Sequence, residues 1–312
     1  GAYAQHVTVG HLWMFTHMYS PWVLWLFCRS LRERKPVWPA GAIIAFMLYE
    51  GGIYIVPNLF LFTGMMAGLD LVVHRLWSGL RQWAAMAAWA SGFAAVKLFP
   101  LLDLFAAHPR LKDGLDAIPL EVIWQALVNP SLEGHPVLEQ VIWPSWEYGS
   151  YLGIFPVLLA LGGVGWFLRS RPTWPRELTL LLGAGLCFAV LALGRFAEWS
   201  PWALLNELPV YRSMHVPFRF FMFVLVAISL AAGLALTELE RGLNRQMAKH
   251  GSELPTTLRR LGTLSALLFV LIVSVDLARV NRSTFATAFP YPPREMVRDG
   301  PFVQVAGDRQ VM

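Results

Sequence analysis

The chain has 312 residues, of which 56% are hydrophobic and 14% charged, and its mean hydropathy is +0.50. Soluble domains carry about a quarter of their residues as charges, so this composition argues against a soluble enzyme and makes the bilayer the natural solvent. The formal net charge of +5 comes from Lys and Arg placed between apolar runs, not from a basic stripe interleaved with aromatics, which excludes a nucleic-acid partner.

Apolar runs of about 17–25 residues suit a membrane crossing. They fall at 11–29, 38–56, 57–76, 83–104, 149–168, 177–194, 217–237 and 261–279. The expected fold is all-α, a polytopic transmembrane helical bundle of about eight spans. Between the second and third runs stands only Val56-Pro57-Asn58, a tight turn or a kink in one long helix. Basic clusters alternate along the chain: Arg29, Arg32, Arg34 and Lys35, then Arg75 and Arg81, then Arg169, Arg171 and Arg176, then Arg241 through Arg260. Basic loops stay on the cytoplasmic side, which places both termini outside.

The opposite side then receives residues 105–148, 195–216 and a tail over 280–312, where Asp113, Asp116, Glu121, Glu133, Glu139, Glu147, Glu198 and Glu207 gather. The chain divides into four helices over 1–104, an outer loop over 105–148, four more helices over 149–279, and the outer tail over 280–312. Within the outer loop, Leu120 to Val128 repeats its apolar positions at helical spacing and predicts an amphipathic helix ended by Asn129-Pro130. In the tail, Phe302 to Val305 alternates like a short strand. Cys28 and Cys187 lie at different depths, which predicts no disulfide.

Ionised groups inside or at the edge of a membrane persist only with a partner or a wet cavity. Glu50, Asp70, Lys97 and Asp103 are such groups. Lys97 and Asp103 are too far apart for a pair on one straight helix, and Pro100 lies between them. Glu50 precedes Gly51-Gly52 at a helix end, whereas Asp70 sits beside His74 and Arg75 and receives little functional weight. The eight histidines are scattered without a metal-ligand spacing, and no phosphate-binding or nucleophile-elbow motif occurs. The densest polar stretch runs from Leu208 to Phe221, where Arg212, His215 and Arg219 meet the start of an apolar helix. A guanidinium grips phosphate oxygens with two parallel bonds, so this cluster suits a lipid-linked phosphate; pairing with Glu198 or Glu207 is the structural alternative.

The stretch Leu191 to Arg195, the stretch Leu204 to Arg219, the pair Gly10-His11 followed by Pro21, and the segment Glu147-Tyr148-Gly149-Ser150-Tyr151 running to Pro156 resemble the C-terminal portion of YfhO-like bacterial membrane proteins. Those belong to the GT-C glycosyltransferase class. The resemblance implies transfer of a sugar from a polyprenyl-phosphate carrier to an acceptor at the periplasmic face of the bacterial inner membrane. It also implies an acidic residue acting as base or as partner of a divalent metal ion. On that basis Glu50, Asp103 and Glu147 are the catalytic candidates, and Arg212, His215 and Arg219 bind the carrier phosphate. Where the family reads Arg-Val-Pro-x-Arg, this chain has His215-Val216-Pro217-Phe218-Arg219, so Arg212 is expected to compensate; the family's usual catalytic Asp is expected upstream of Gly1. The competing expectation is a non-catalytic subunit that keeps the scaffold within a larger membrane assembly. Membrane lipid is a partner in either case.

Overall fold

The computed structural model describes residues 12–107, 116–170, 174–249 and 256–287. The 280–312 tail beyond Thr287, with its Phe302–Val305 stretch, lies outside these residues, as do His6, His11, His108, His250 and Asp113. Every regular element among the described residues is a helix, and their one β-type contact is an isolated bridge between Ala117 and Gly194. Cys28 and Cys187 are free thiols.

A 3-10 stretch, Leu12–Tyr19, leads into α1 (Ser20–Glu33), where Pro21 occupies the first turn and its missing N–H has no partner to lose. Then come α2 (Trp38–Tyr49), α3 (Ile55–His74) and α4 (Ser78–Ala107). The first long connection carries α5 (Leu120–Val128) and the four-residue α6 (Ser145–Tyr148). Next are α7 (Ile154–Ser170) and α8 (Arg176–Ala192). The second long connection holds α9 (Pro201–Leu205) and two 3-10 turns, Tyr211–Ser213 and Pro217–Phe220, before α10 (Phe221–Lys249) and α11 (Thr256–Thr287).

Eight equivalent spans are not what forms. Three segments among the described residues are long and apolar enough to cross a membrane: Ile55–His74, Ser78–Leu104 and Pro217–Gly242. The runs expected at 11–29 and 38–56 become a 3-10 stretch plus a 14-residue helix, and a 12-residue helix. At 1.5 Å per residue, the longer of these helices reaches about 21 Å, short of the ~30 Å hydrocarbon layer. The expected break at Val56-Pro57-Asn58 also moves. It falls at Glu50–Tyr54, where Gly51 adopts φ +95°, a left-handed conformation open to glycine. Pro57 lies inside the first turn of α3, where its lack of an N–H is tolerated.

Packing runs as a series through the bundle: α2 against α4, α4 against α3, α3 against α8, α8 against α10, and α10 against α7. Phe62, Phe188 and Phe223 join α3, α8 and α10 in a triangle of rings with centroids 4.9, 5.3 and 5.4 Å apart. Elsewhere small residues let backbones touch, as membrane helices require. A Cβ on Gly163 would stand 2.7 Å from that of Ala235, and one on Gly185 would collide with Ala227. Outward-facing apolar side chains such as Val72, Val96 and Leu186 are 71%, 83% and 69% exposed, the surface a lipid environment covers.

Candidate functional site

Arg219 lies in the 3-10 turn that starts the Pro217–Gly242 segment. Its partner comes from 72 residues away: Nε donates to Glu147 Oε2 at 3.0 Å and Nη2 to Oε1 at 2.6 Å. The side chains are only 10% and 4% exposed, so this is a buried two-pronged ion pair. The guanidinium carbon also lies 5.1 Å from the ring centres of Trp13 and Tyr54, themselves 4.8 Å apart. Cation–π contact at that range adds to the hold on the charge.

Beside the ion pair, the buried Tyr148 packs on Phe218 and its hydroxyl accepts the Trp143 backbone N–H. The Trp143 indole N–H donates to Asp116, and the Trp143 ring lies 4.7 Å from that of His215. Burial pushes the Asp116 carboxyl above the usual carboxylate range, partly opposed by the indole donor. Burial likewise drives the Tyr148 phenol well above its ordinary value, and the charges of Asp116 and Glu147 push it further. The two long connections are clamped together here, because Arg195 N–H donates to the Asp116 carbonyl at 2.7 Å and Ile118 N–H to Leu193 O at 2.9 Å. Gly194, at φ +71°, makes the contact possible: any Cβ would overlap the Asp116 carbonyl.

At the same end of the bundle, a cavity of about 820 Å³ opens between the start of α3 and the last turns of α4. Its walls are apolar, with Phe60, Leu98 and Leu101 among them, and Pro209, Val210, Tyr211, Ser213 and Met214 roof it. Tyr211 fixes the roof by donating its hydroxyl to Pro57 O at 2.9 Å. Tyr54 belongs to both places, as a wall of the cavity and as a ring under Arg219.

Of the residues expected to carry the chemistry, the structure therefore joins Glu147 to Arg219 and sets His215 against Trp143, one contact removed from Asp116. Arg212 is exposed, between the cavity residues Tyr211 and Ser213. Glu50 and Asp103 are exposed and form no part of this cluster, while Lys97 donates to the carbonyl of Tyr49 at 2.8 Å. Asp70 pairs with Arg176 at the other end of the bundle. Trp13, Tyr54 and Asp116 were invisible as site residues, since nothing local marks them and their partners are distant in sequence. The divalent metal implied by the resemblance is not matched: among the described residues, no three His, Cys, Asp or Glu side chains converge to hold one.

Comparison of the chain with family models, with curated proteins and with solved structures finds no match.

Proposed function

We propose that the chain acts as a GT-C-like membrane glycosyltransferase, moving a sugar from a polyprenyl-phosphate carrier to an acceptor at the periplasmic face of a bacterial inner membrane. The observation that carries this reading is the apolar cavity of about 820 Å³, which is roofed by the polar connection bearing Arg212 and shares Tyr54 with the buried Arg219–Glu147 pair. A prenyl chain needs a long apolar groove, and its phosphate needs cations where that groove meets water; both lie at one end of this bundle. In this reading the shorter helices α1, α2, α7 and α8 insert beside the spanning ones as a multi-pass bundle, with both long connections outside.

The chemistry needs an acceptor hydroxyl to lose its proton as it attacks the anomeric carbon, and a departing phosphate stabilised by positive charge. Glu147 is the base of choice, being the carboxylate paired with Arg219, whose guanidinium lies against the cavity residue Tyr54, and Arg212 and Arg219 supply the charge.

One observation favours a different reading, a non-catalytic subunit of a larger assembly: the Nε and Nη2 donors of Arg219 are already committed to Glu147. The deciding experiment is sugar transfer from polyprenyl-phosphate donors by the full chain in nanodiscs, compared with Ser91→Trp, which fills the cavity from an exposed position. At least a tenfold loss in Ser91→Trp supports the transferase. Absence of transfer by the unaltered chain, together with fixed-stoichiometry copurification with other membrane subunits, supports the subunit reading.

A further inference from the structure

We infer that Glu147 is a displaceable stand-in for a phosphate at Arg219, so that arrival of the carrier's anionic group exchanges one anion for another and releases the carboxylate as the base. This rests on the transferase reading and adds to it a binding subsite and a sequence of events. Three observations carry it.

The first is the geometry of the pair. Glu147 meets the Nε and Nη2 edge of Arg219 at 3.0 and 2.6 Å, the forked arrangement that a phosphate's oxygens also satisfy. A second anion of that shape can replace the first without leaving a buried guanidinium unpaired.

The second is the difference in how the partners are anchored. Arg219 sits in a turn continuous with the Pro217–Gly242 segment and is braced by Trp13 and Tyr54. Glu147 sits on a four-residue helix between Pro144 and Gly149, on a connection rather than a spanning element. The cation is held by a spanning element and two rings and the carboxylate by a short helix on a connection, so in the exchange Glu147 is the member that moves.

The third is the shared wall. Tyr54 lines the apolar cavity and carries the guanidinium at 5.1 Å, so a lipid tail in the cavity lies one aromatic ring away from Arg219. Arg212, exposed on the roof beside the lining residues Tyr211 and Ser213, is the cation such a headgroup meets on the way in.

The step balances as follows. The carrier phosphate takes the Nε and Nη2 donors of Arg219, and the freed Glu147 carboxylate accepts the acceptor's hydroxyl proton. The acceptor oxygen bonds to the anomeric carbon while the bond from that carbon to the phosphate oxygen breaks, its electron pair staying on the phosphate. Glu147 gives its proton to water as the phosphate leaves and the ion pair re-forms.

The test is binding of a sugar-free polyprenyl monophosphate by the full chain in nanodiscs of uncharged-headgroup lipid, with inorganic pyrophosphate alone as a parallel probe. Glu147→Gln removes the competing anion and is expected to bind the lipid about tenfold tighter, about 1.4 kcal/mol. Glu147→Asp, one methylene too short to reach both nitrogens, is expected to show a smaller gain and serves if the Gln variant fails to fold. Arg219→Gln loses at least tenfold, and adding Glu147→Gln to it recovers nothing. A carboxylate that merely braces the fold gives the opposite sign: a folded Glu147→Gln or Glu147→Asp chain that binds the lipid no better than the unaltered one overturns the exchange. A gain for pyrophosphate with none for the lipid overturns the lipid as its source. Failure of the transferase reading is separate, since tighter lipid binding by Glu147→Gln with no sugar transfer by the unaltered chain keeps the exchange and removes the enzyme.

Discussion

Arg176, the first residue of α8, donates through Nε to Asp70 Oδ1 at 2.6 Å and through Nη2 to the other carboxylate oxygen, near the end of α3. Asp70 is fully buried, the same guanidinium reaches Ser78 Oγ at 3.2 Å, and His74 Nδ1 lies 3.3 Å from the carboxylate. Three helix ends are thereby tied at the pole opposite the cavity.

Removing Arg176 leaves the fully buried Asp70 without its counter-charge. Arg176→Gln is expected to destabilise the chain by about 3 kcal/mol, while Asp70→Leu combined with Arg176→Met recovers most of that loss. Thermal unfolding in detergent checks both, and lipid binding at the distant cavity should stay unchanged in the double variant.

At the α8–α10 contact, Gly185→Val forces a branched side chain into the space of Ala227 and is expected to cost about 1–3 kcal/mol. Ala227→Gly in the same chain restores part of it. Gly92, on α4, has nothing within reach of an added Cβ, so Gly92→Ala is expected to be neutral or to stabilise by up to about 1 kcal/mol. Melting temperatures of the three variants give the comparison.

Asp116 titrates above the usual carboxylate range because it is buried. A raised folded-state value means that the protonated form is the one the fold prefers, so its stabilising effect is present in acid and is lost as pH rises through the folded value. Asp116→Asn, which cannot ionise, is therefore expected to melt higher than the unaltered chain at pH 7 and to lose that advantage at or below about pH 4, near the unfolded carboxyl value. Equal differences at both pH values rule this out.

Tyr211→Phe deletes the donor that reaches the Pro57 carbonyl and is expected to cost about 1 kcal/mol. Because that bond pins the roof over the cavity, KM for the carrier should rise more than kcat falls. The measurement is steady-state transfer with the carrier varied at fixed acceptor.

Much of the helical content was legible because apolar runs and prolines act locally: Pro21, Pro39 and Pro217 all stand in first turns. Span number was not legible, because a run such as 38–56 has the same composition whether it is one helix or a 12-residue helix, a glycine break and the start of another. The cluster of Arg212, His215 and Arg219 stood out by charge density. Its partner did not, because the Glu147–Arg219 contact spans 72 positions and is created by packing of α6, α8 and α10 on the Pro217–Phe220 turn. Asp70, given little weight as an interfacial residue, is instead fully enclosed, since the arginine that neutralises it enters from α8.

Lys97 and the chain break before α3 answer each other's needs. Ending α2 at Tyr49 leaves carbonyls without helical partners, and the half-buried Lys97 ammonium needs an acceptor; the 2.8 Å contact from Lys97 to Tyr49 O meets part of both demands. A charge that stands out in the sequence as an ion inside an apolar run is, in this molecule, a rivet through a fractured helix, and its loss should loosen the wall of the cavity next to it.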